Sequence, residues 1–167
     1  MRISGSYALP VTPERAYDLL QDPVVLAQCM PGTERLVRIG SDEYEMKMKM
    51  VISAVQGLFA GKVRIADQKP PEQFRLIVEG SGKVGFMRGD GLLTLSSASA
   101  TTEVHYEGEV HVGGVIAGVG QRLLDTTAKI VIRRFFEKLA ASVSQTAQAA
   151  AAPLSPPPPT NSAPDSD

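Results

Sequence analysis

Residues 113–143 read GGVIAGVGQRLLDTTAKIVIRRFFEKLAASV. The stretch opens on a flexible pair, Gly113-Gly114. Apolar positions follow at Val115, Ile116, Val119, Leu123, Leu124, Ile130, Val131, Phe135 and Leu139, with Thr127 in the same series. They recur every three or four residues, the spacing of a helix with one wide apolar stripe. No other helical pattern in the chain approaches this length, so the stripe has no comparable helix to pack on. It must lie on a sheet, and a long helix laid on a curved sheet readily encloses a pocket. That geometry points to a binding protein without naming the ligand.

Upstream of Gly113 the period is two. Thr33 to Ile39 reads as a strand, Gly40-Ser41-Asp42 as a turn and Glu43 to Ser53 as a long strand. Further strands are expected over Gly57 to Asp67, Gln73 to Glu79, Val84 to Ser96 and Thr101 to Val112, with short polar turns between them. This spacing predicts an antiparallel meander. Before it, Arg2 to Leu9 is a first strand ended by Pro10. Thr12 is a good N-cap, with Pro13 at the first helical position and Glu14 at the positive end of the dipole. That helix runs to about Leu20 or Gln21. Asp22-Pro23 starts a second short helix ending near Cys29, before the turn at Pro31-Gly32. The expected order is strand, two short helices, six strands and one long helix: an α+β chain with about seven strands.

The chain has 167 residues, 43% of them apolar. That suffices for one core, which the patterning places in residues 1–144. Residues 145–167 are Ala- and Pro-rich and read as a disordered tail. The net charge is −1. Without the tail, 17 basic residues face 16 acidic ones, so nucleic acid is not an expected partner. A single cysteine, Cys29, excludes an internal disulfide and a cysteine-based metal cluster. Residues 1–6 carry no apolar run of a secretion signal, and no run of about eighteen apolar residues could span a membrane. A cytoplasmic protein is expected.

Two features suggest an interior with room in it. Tyr44, Met46, Met48, Met50 and Ile52 share one face of their strand, opposite Glu45, Lys47 and Lys49, and the apolar face must point inward. Methionine adapts its shape, so three in line form either a deformable wall for a greasy ligand or an ordinary core. Gly80, Gly82, Gly85, Gly89 and Gly91 fall across two consecutive strands, where glycine normally weakens pairing. They permit sharp bends, open space above the sheet, or both.

Reactive constellations are sparse. Gly80-Ser81-Gly82-Lys83-Val84-Gly85 matches a dinucleotide loop in letters, but strand periodicity continues past it and no helix follows. Alternation puts His105 and His111 on the outer face with Glu103, Glu107 and Glu109, a wet face rather than a metal site. Cys29 has no histidine near it for thiol activation. Arg88, Asp90 and Arg122 are the polar residues expected nearest a pocket mouth. Arg122, Lys129, Arg133, Arg134 and Lys138 form a partly basic rim on the long helix, Asp125 pairing with Lys129.

The order of elements resembles the helix-grip fold of START-like and Bet v 1-like proteins, the SRPBCC superfamily. Cys29-Met30-Pro31-Gly32 resembles the Cys-x-Pro-Gly turn of the CoxG family of carbon monoxide dehydrogenase subunits. Gly57-Leu58-Phe59-Ala60-Gly61-Lys62-Val63 is similar to its strand with paired glycines. Residues 113–124, continued by Arg134-Phe135-Phe136, are similar to its helix opening and aromatic end. The resemblance covers residues 1 to about 144. It implies an accessory protein of molybdenum hydroxylases, not an enzyme, that binds a quinone-like lipid and helps place the dehydrogenase at the membrane. Peripheral contact at the inner membrane face follows from it; the tail, with its Pro, Ser and Asp, departs from the members whose tail ends in a membrane-binding segment.

The expected cavity lining is Met46, Met48, Met50, Phe59, Phe74, Met87, Val119 and Leu123, with Arg122 placed to meet a carbonyl or carboxylate. The only cofactor expected is a quinone or another lipophilic ligand. Two rival readings stand beside this one. An assembly subunit would fill its interior with its own side chains. A cyclase- or hydrolase-like enzyme would need polar residues converging inside.

Overall fold

Period-two alternation becomes one antiparallel sheet in the computed structural model, which describes residues 1–52 and 55–151, with the backbone only for Ile52 and residues 144–151. The strands are β1 (Arg2–Leu9), β2 (Thr33–Arg38), β3 (Glu43–Ile52), β4 (Val55–Lys69), β5 (Gln73–Gly82), β6 (Gly85–Ala98) and β7 (Thr101–Gly113). Their order is β1-β7-β6-β5-β4-β3-β2, so six strands meander and β1 returns beside the last. The short helices α1 (Pro13–Leu19) and α2 (Pro23–Cys29) link the two sheet edges. A 3-10 turn (Val115–Val119) then leads into α3 (Gln121–Ala151).

The local signals act as their chemistry dictates. Thr12 Oγ1 accepts from the Arg15 amide at 3.3 Å, and Asp22 Oδ1 accepts from the Val24 amide at 2.9 Å, so each short helix has its capping side chain. Pro13 and Pro23 sit where a helix needs no amide donor. Gly32 turns the chain with φ of 82°, and its carbonyl accepts from the Lys49 amide at 2.7 Å. That bond fastens the turn to β3.

The long helix departs from its expected start. Gly113 ends β7, and residues 115–119 form a 3-10 turn that closes at Gly120, where φ is 97°. A 3-10 turn advances about 120° per residue against 100° in an α-helix, so the break resets the phase of the stripe. Ile116 therefore points inward, whereas Val115, on the expected stripe, is 77% exposed. At the other end the helix passes Val143 and continues through Ala151, so residues 145–151 are helix rather than tail. Alanine, the strongest helix former, favours that continuation. The rest of the expected tail, residues 152–167, lies outside the described residues, as do residues 53 and 54.

Two apolar clusters form between the sheet and the helices. One joins α1, α2 and the C-terminal half of α3 to Leu9, Tyr44, Phe74, Leu95 and Val104. The other joins Met48, Met50, Val55 and Phe59 to Ile116 of the 3-10 turn.

Candidate functional site: the space between sheet and helix

The inner face is set by register. Tyr44, Met46, Met48 and Met50 of β3 stand opposite Val63, Gly61, Phe59 and Gly57 of β4. Phe74, Leu76, Val78 and Gly80 of β5 stand opposite Leu93, Gly91, Gly89 and Met87 of β6. Thr102 to Val112 of β7 and Ile3 to Leu9 of β1 complete the face on alternate positions. Along β1 and β3 to β7 those positions carry no Asp, Glu, Lys, Arg or His among the described residues. Charge is confined to the outer face, where alternation sends it.

Four elements roof this floor. α1 and α2 close one end. The 3-10 turn closes the other, tied to the β5–β6 turn by the Ile116 amide donating to the Val84 carbonyl at 2.7 Å. Between them α3 approaches β1 and α2 closely, and makes no comparable backbone approach to β3–β7 among the described residues. Its side chains reach the sheet instead: Phe135, Phe136 and Leu139 share a cluster with Phe74, Leu95 and Val104. Inner-facing Leu76, Val78, Met87, Leu93, Val110 and Val112 are nevertheless only half-buried. Apolar side chains that water still reaches, beneath a helix that does not seal them, are a surface suited to an apolar guest.

The glycines divide by what surrounds them. A Cβ on Gly61 would collide with the Glu79 carbonyl, and one on Gly108 with the Asp90 carbonyl, so these positions permit close strand approach and bending. A Cβ on Gly89 would meet only Val110 Cγ2 at 3.9 Å, and one on Gly91 nothing nearer than 3.5 Å. Bending and open space are therefore both present, at different residues.

The expected lining residues fall in three groups. Met48, Met50, Phe59 and the half-buried Val119 come together in the second cluster. Met46 and Phe74 belong to the first, where Phe74 packs edge-on against Tyr17 at 5.4 Å, so they face the closed end. Met87 is half-buried on the inner face of β6.

Leu123 is 39% exposed and Arg122 is exposed, so neither joins the inner face. The phase reset at Gly120 gives Leu124 the inward position, about 100° from Leu123 on the helix. Arg88 and Asp90 also miss the mouth. On the outer face Arg88 pairs with Glu79 at 3.0 Å, and Asp90 accepts from Arg75 at 2.6 Å.

His105 and His111 are exposed on the outer face, His105 within 3.1 Å of Ser6 Oγ. Among the described residues no group of three or more His, Cys, Asp or Glu is placed to hold a metal ion. Cys29 is buried, and burial pushes its thiol pKa up, opposed by Lys138. A thiol so placed is a poor nucleophile.

Alternation also hid one feature. Tyr7, Tyr106 and Phe136 form an aromatic column where α3 meets the sheet, Tyr7 and Phe136 stacking at 4.6 Å between centroids. Burial raises the Tyr106 pKa, and the neighbouring Tyr7 adds to the rise. The signal in the sequence was Gly5, the β7-facing partner of Tyr106, which leaves room for its hydroxyl.

One open pocket lies on the outer face and a smaller one at the edge of the interior. A groove of about 520 Å³ crosses the outer face past Lys62, Glu79, Ser81, Phe86, Arg88 and His111. A smaller one of about 170 Å³ sits beside Met1, Val110, Gln121 and Leu124. Among the described residues no helix is long and apolar enough to cross a membrane.

Comparison with solved structures places this architecture. A conserved protein from Geobacillus kaustophilus superposes with a TM-score of 0.84 at 33% identity, over 87% of this chain and 97% of that one. A START superfamily protein from Mycobacterium smegmatis gives 0.68 at 11% identity, over 87% and 98%. Ara h 8.0201 gives 0.63 at 8% identity, again over 87% and 98%. The last two share the fold alone, and it is the helix-grip fold. No curated protein matches the sequence. The model of the CoxG family of carbon monoxide dehydrogenase subunits matches residues 5–144, from the first strand through the aromatic end of α3, and the chain belongs to that family.

Proposed function

We propose that this protein binds a lipophilic, quinone-like small molecule between its sheet and α3. In this reading it serves a molybdenum hydroxylase such as carbon monoxide dehydrogenase as an accessory without chemistry of its own. Family membership and the fold suggest a ligand-binding accessory role and an association with that dehydrogenase. The supporting observation is the set of half-buried apolar residues on the inner face of β5–β7, beneath α3. The lack of Asp, Glu, Lys, Arg and His on that floor among the described residues supports a carrier over a catalyst, since acid–base chemistry most often uses such a side chain within hydrogen-bond reach of the reacting atom.

The energetics favour a chain-like ligand. Burying one five-carbon isoprene unit contributes about 3–4 kcal/mol at roughly 0.8 kcal/mol per methylene-sized group, before the costs of association. Two or three units give useful affinity with no polar contact. Methionines at 46, 48 and 50 can repack around such a chain with little strain. By this reading the protein meets the membrane peripherally and transiently.

The test is direct. Organic-solvent extraction of the purified protein should yield a lipid, and short-chain menaquinone or ubiquinone analogues should raise its melting temperature. Consistent absence of both sinks the proposal. A ligand-free assembly subunit is the second reading. It draws support from the low exposure of Met48, Met50 and Phe59, and from the larger open pocket lying on the outer face. The same extraction separates the two.

A further inference from the structure

The β3–β4 hairpin, the β5–β6 turn and the 3-10 turn meet at one end of the molecule. A Cβ on Gly57 would strike Val84 of the β5–β6 turn, and one on Gly114 would strike the Gly85 backbone. Residues 46–63, 80–89 and 110–124 build this end, and their charge is one-sided. They hold six of the 17 Lys and Arg of the chain and none of its 18 Asp and Glu. Lys62 and Arg88 pair with Glu43 and Glu79. Lys47, Lys49, Lys83 and Arg122 are exposed and form no ion pair among the described residues. Glu45 and Glu79 stand further back, on either side of Lys62, and Glu34 of β2 is followed by Arg35.

The same segments carry five of the eight exposed large apolar side chains among the described residues. Val51, Leu58, Phe86 and Val115 are each more than half exposed, and Leu123 stands beside Arg122. On the outer face Leu58 lies opposite Lys49. Apolar tips interleaved with free cations suit an anionic lipid surface, where aliphatic groups enter the headgroup boundary and ammonium groups meet phosphates. The tips sit on separate elements, and lipid, unlike a protein interface, demands no shape complementarity. The basic rim of α3 is a weaker rival, because Lys129 and Arg133 are matched by Asp125 and Glu137.

We infer that this end of the domain docks on an anionic bilayer, with its exposed apolar tips in the headgroup layer and its four free cations on the phosphates. This rests on the peripheral membrane contact proposed above and adds the face, the lipid charge and the orientation. It turns the methionine-lined end of the interior toward the lipid, together with the small pocket beside Val112 and Leu124. An apolar guest would then pass between bilayer and interior without crossing open water, which transfer energetics oppose.

The experiment is cosedimentation of the full chain with vesicles of phosphatidylcholine alone and of phosphatidylcholine mixed with phosphatidylglycerol. The protein should bind the anionic vesicles at least about tenfold more tightly, and added salt should weaken that binding. Lys47→Gln, Lys49→Gln and Lys83→Gln together should lower the affinity about 100-fold, each lysine near a charged surface being worth roughly fivefold. Val51→Ser with Val115→Ser should lower it several-fold. Arg133→Gln, Arg134→Gln and Lys138→Gln on α3 should change it by less than about twofold. All these side chains are exposed, so melting temperatures should stay near that of the unmodified protein. Equal affinity for the two vesicle types, or a loss in the α3 variant as large as in the lysine variant, overturns the docking face. No binding to anionic vesicles overturns the bilayer assignment and makes an acidic protein surface the occupant. The interior ligand is tested separately by extraction, and neither outcome bears on it.

Discussion

The two ends of the interior use different side chains to meet the same helix. At the closed end Leu9, Val104 and Leu139 are 0% exposed, and Phe74 and Tyr44 1%. Thr102 Oγ1 there donates to the Val11 carbonyl at 2.7 Å, while the buried Gln21 Nε2 has no partner. At the other end Met48, Met50 and Phe59 pack with Ile116, but Val84, Val112, Val119 and Leu124 around them are only half-buried. Branched and aromatic side chains interdigitate in one geometry, whereas methionine accepts several. Stability is therefore concentrated at the α1–α2 end, and adaptability at the end carrying the 3-10 turn. A carrier that must open without unfolding benefits from that division.

Substitutions can break the contrast. Leu139→Ala removes a fully buried side chain from the closed end and should cost about 2–5 kcal/mol in denaturant unfolding, by lost transfer energy plus a cavity. Met48→Leu conserves volume at the adaptable end and should cost less than about 1.5 kcal/mol. If the two changes cost the same, the ends do not differ. Gly89→Ala is milder still. Its Cβ enters free space, so stability should change by no more than about 0.5 kcal/mol, while the lipid recovered by extraction should fall because the methyl group takes up cavity volume. Unchanged recovery would place any ligand elsewhere.

Alkaline pH gives the smallest effect. Cys29 and Tyr106 both have pKa values raised by burial, from ordinary values of 9.0 and 10.0. Above those values the unfolded chain loses its protons first and the folded state holds more of them. Stability is thus fully present below about pH 9 and declines as pH rises through the folded pKa values. Tyr106→Phe should flatten the part of the decline above pH 10 in a series of melting curves.

The fold was legible because the period of the long strand run changes at Gly113 from two to three-and-four. The capping pairs Thr12-Pro13 and Asp22-Pro23 marked the short helices equally plainly. The phase of α3 was not legible. Gly120 breaks the spacing at a point where the pattern alone runs on, and this moved Val115 and Leu123 to the surface. Arg88 and Asp90 read as free polar residues because their partners Glu79 and Arg75 are neighbours across strands, not along the chain. Tyr7 and Tyr106 were hidden for the opposite reason: on an alternating strand a tyrosine counts as one more apolar residue. Only the register of β1 against β7 brings the two together over Gly5.

The most direct test follows backbone amide resonances during titration with a short-chain ubiquinone analogue. Binding beneath α3 should move the amides of Val78, Gly89, Gly91, Val110 and Leu124, while Lys62, Ser81 and His111, lining the outer groove, stay still. Shifts confined to that groove, or none anywhere at saturating analogue, would contradict an interior binding site.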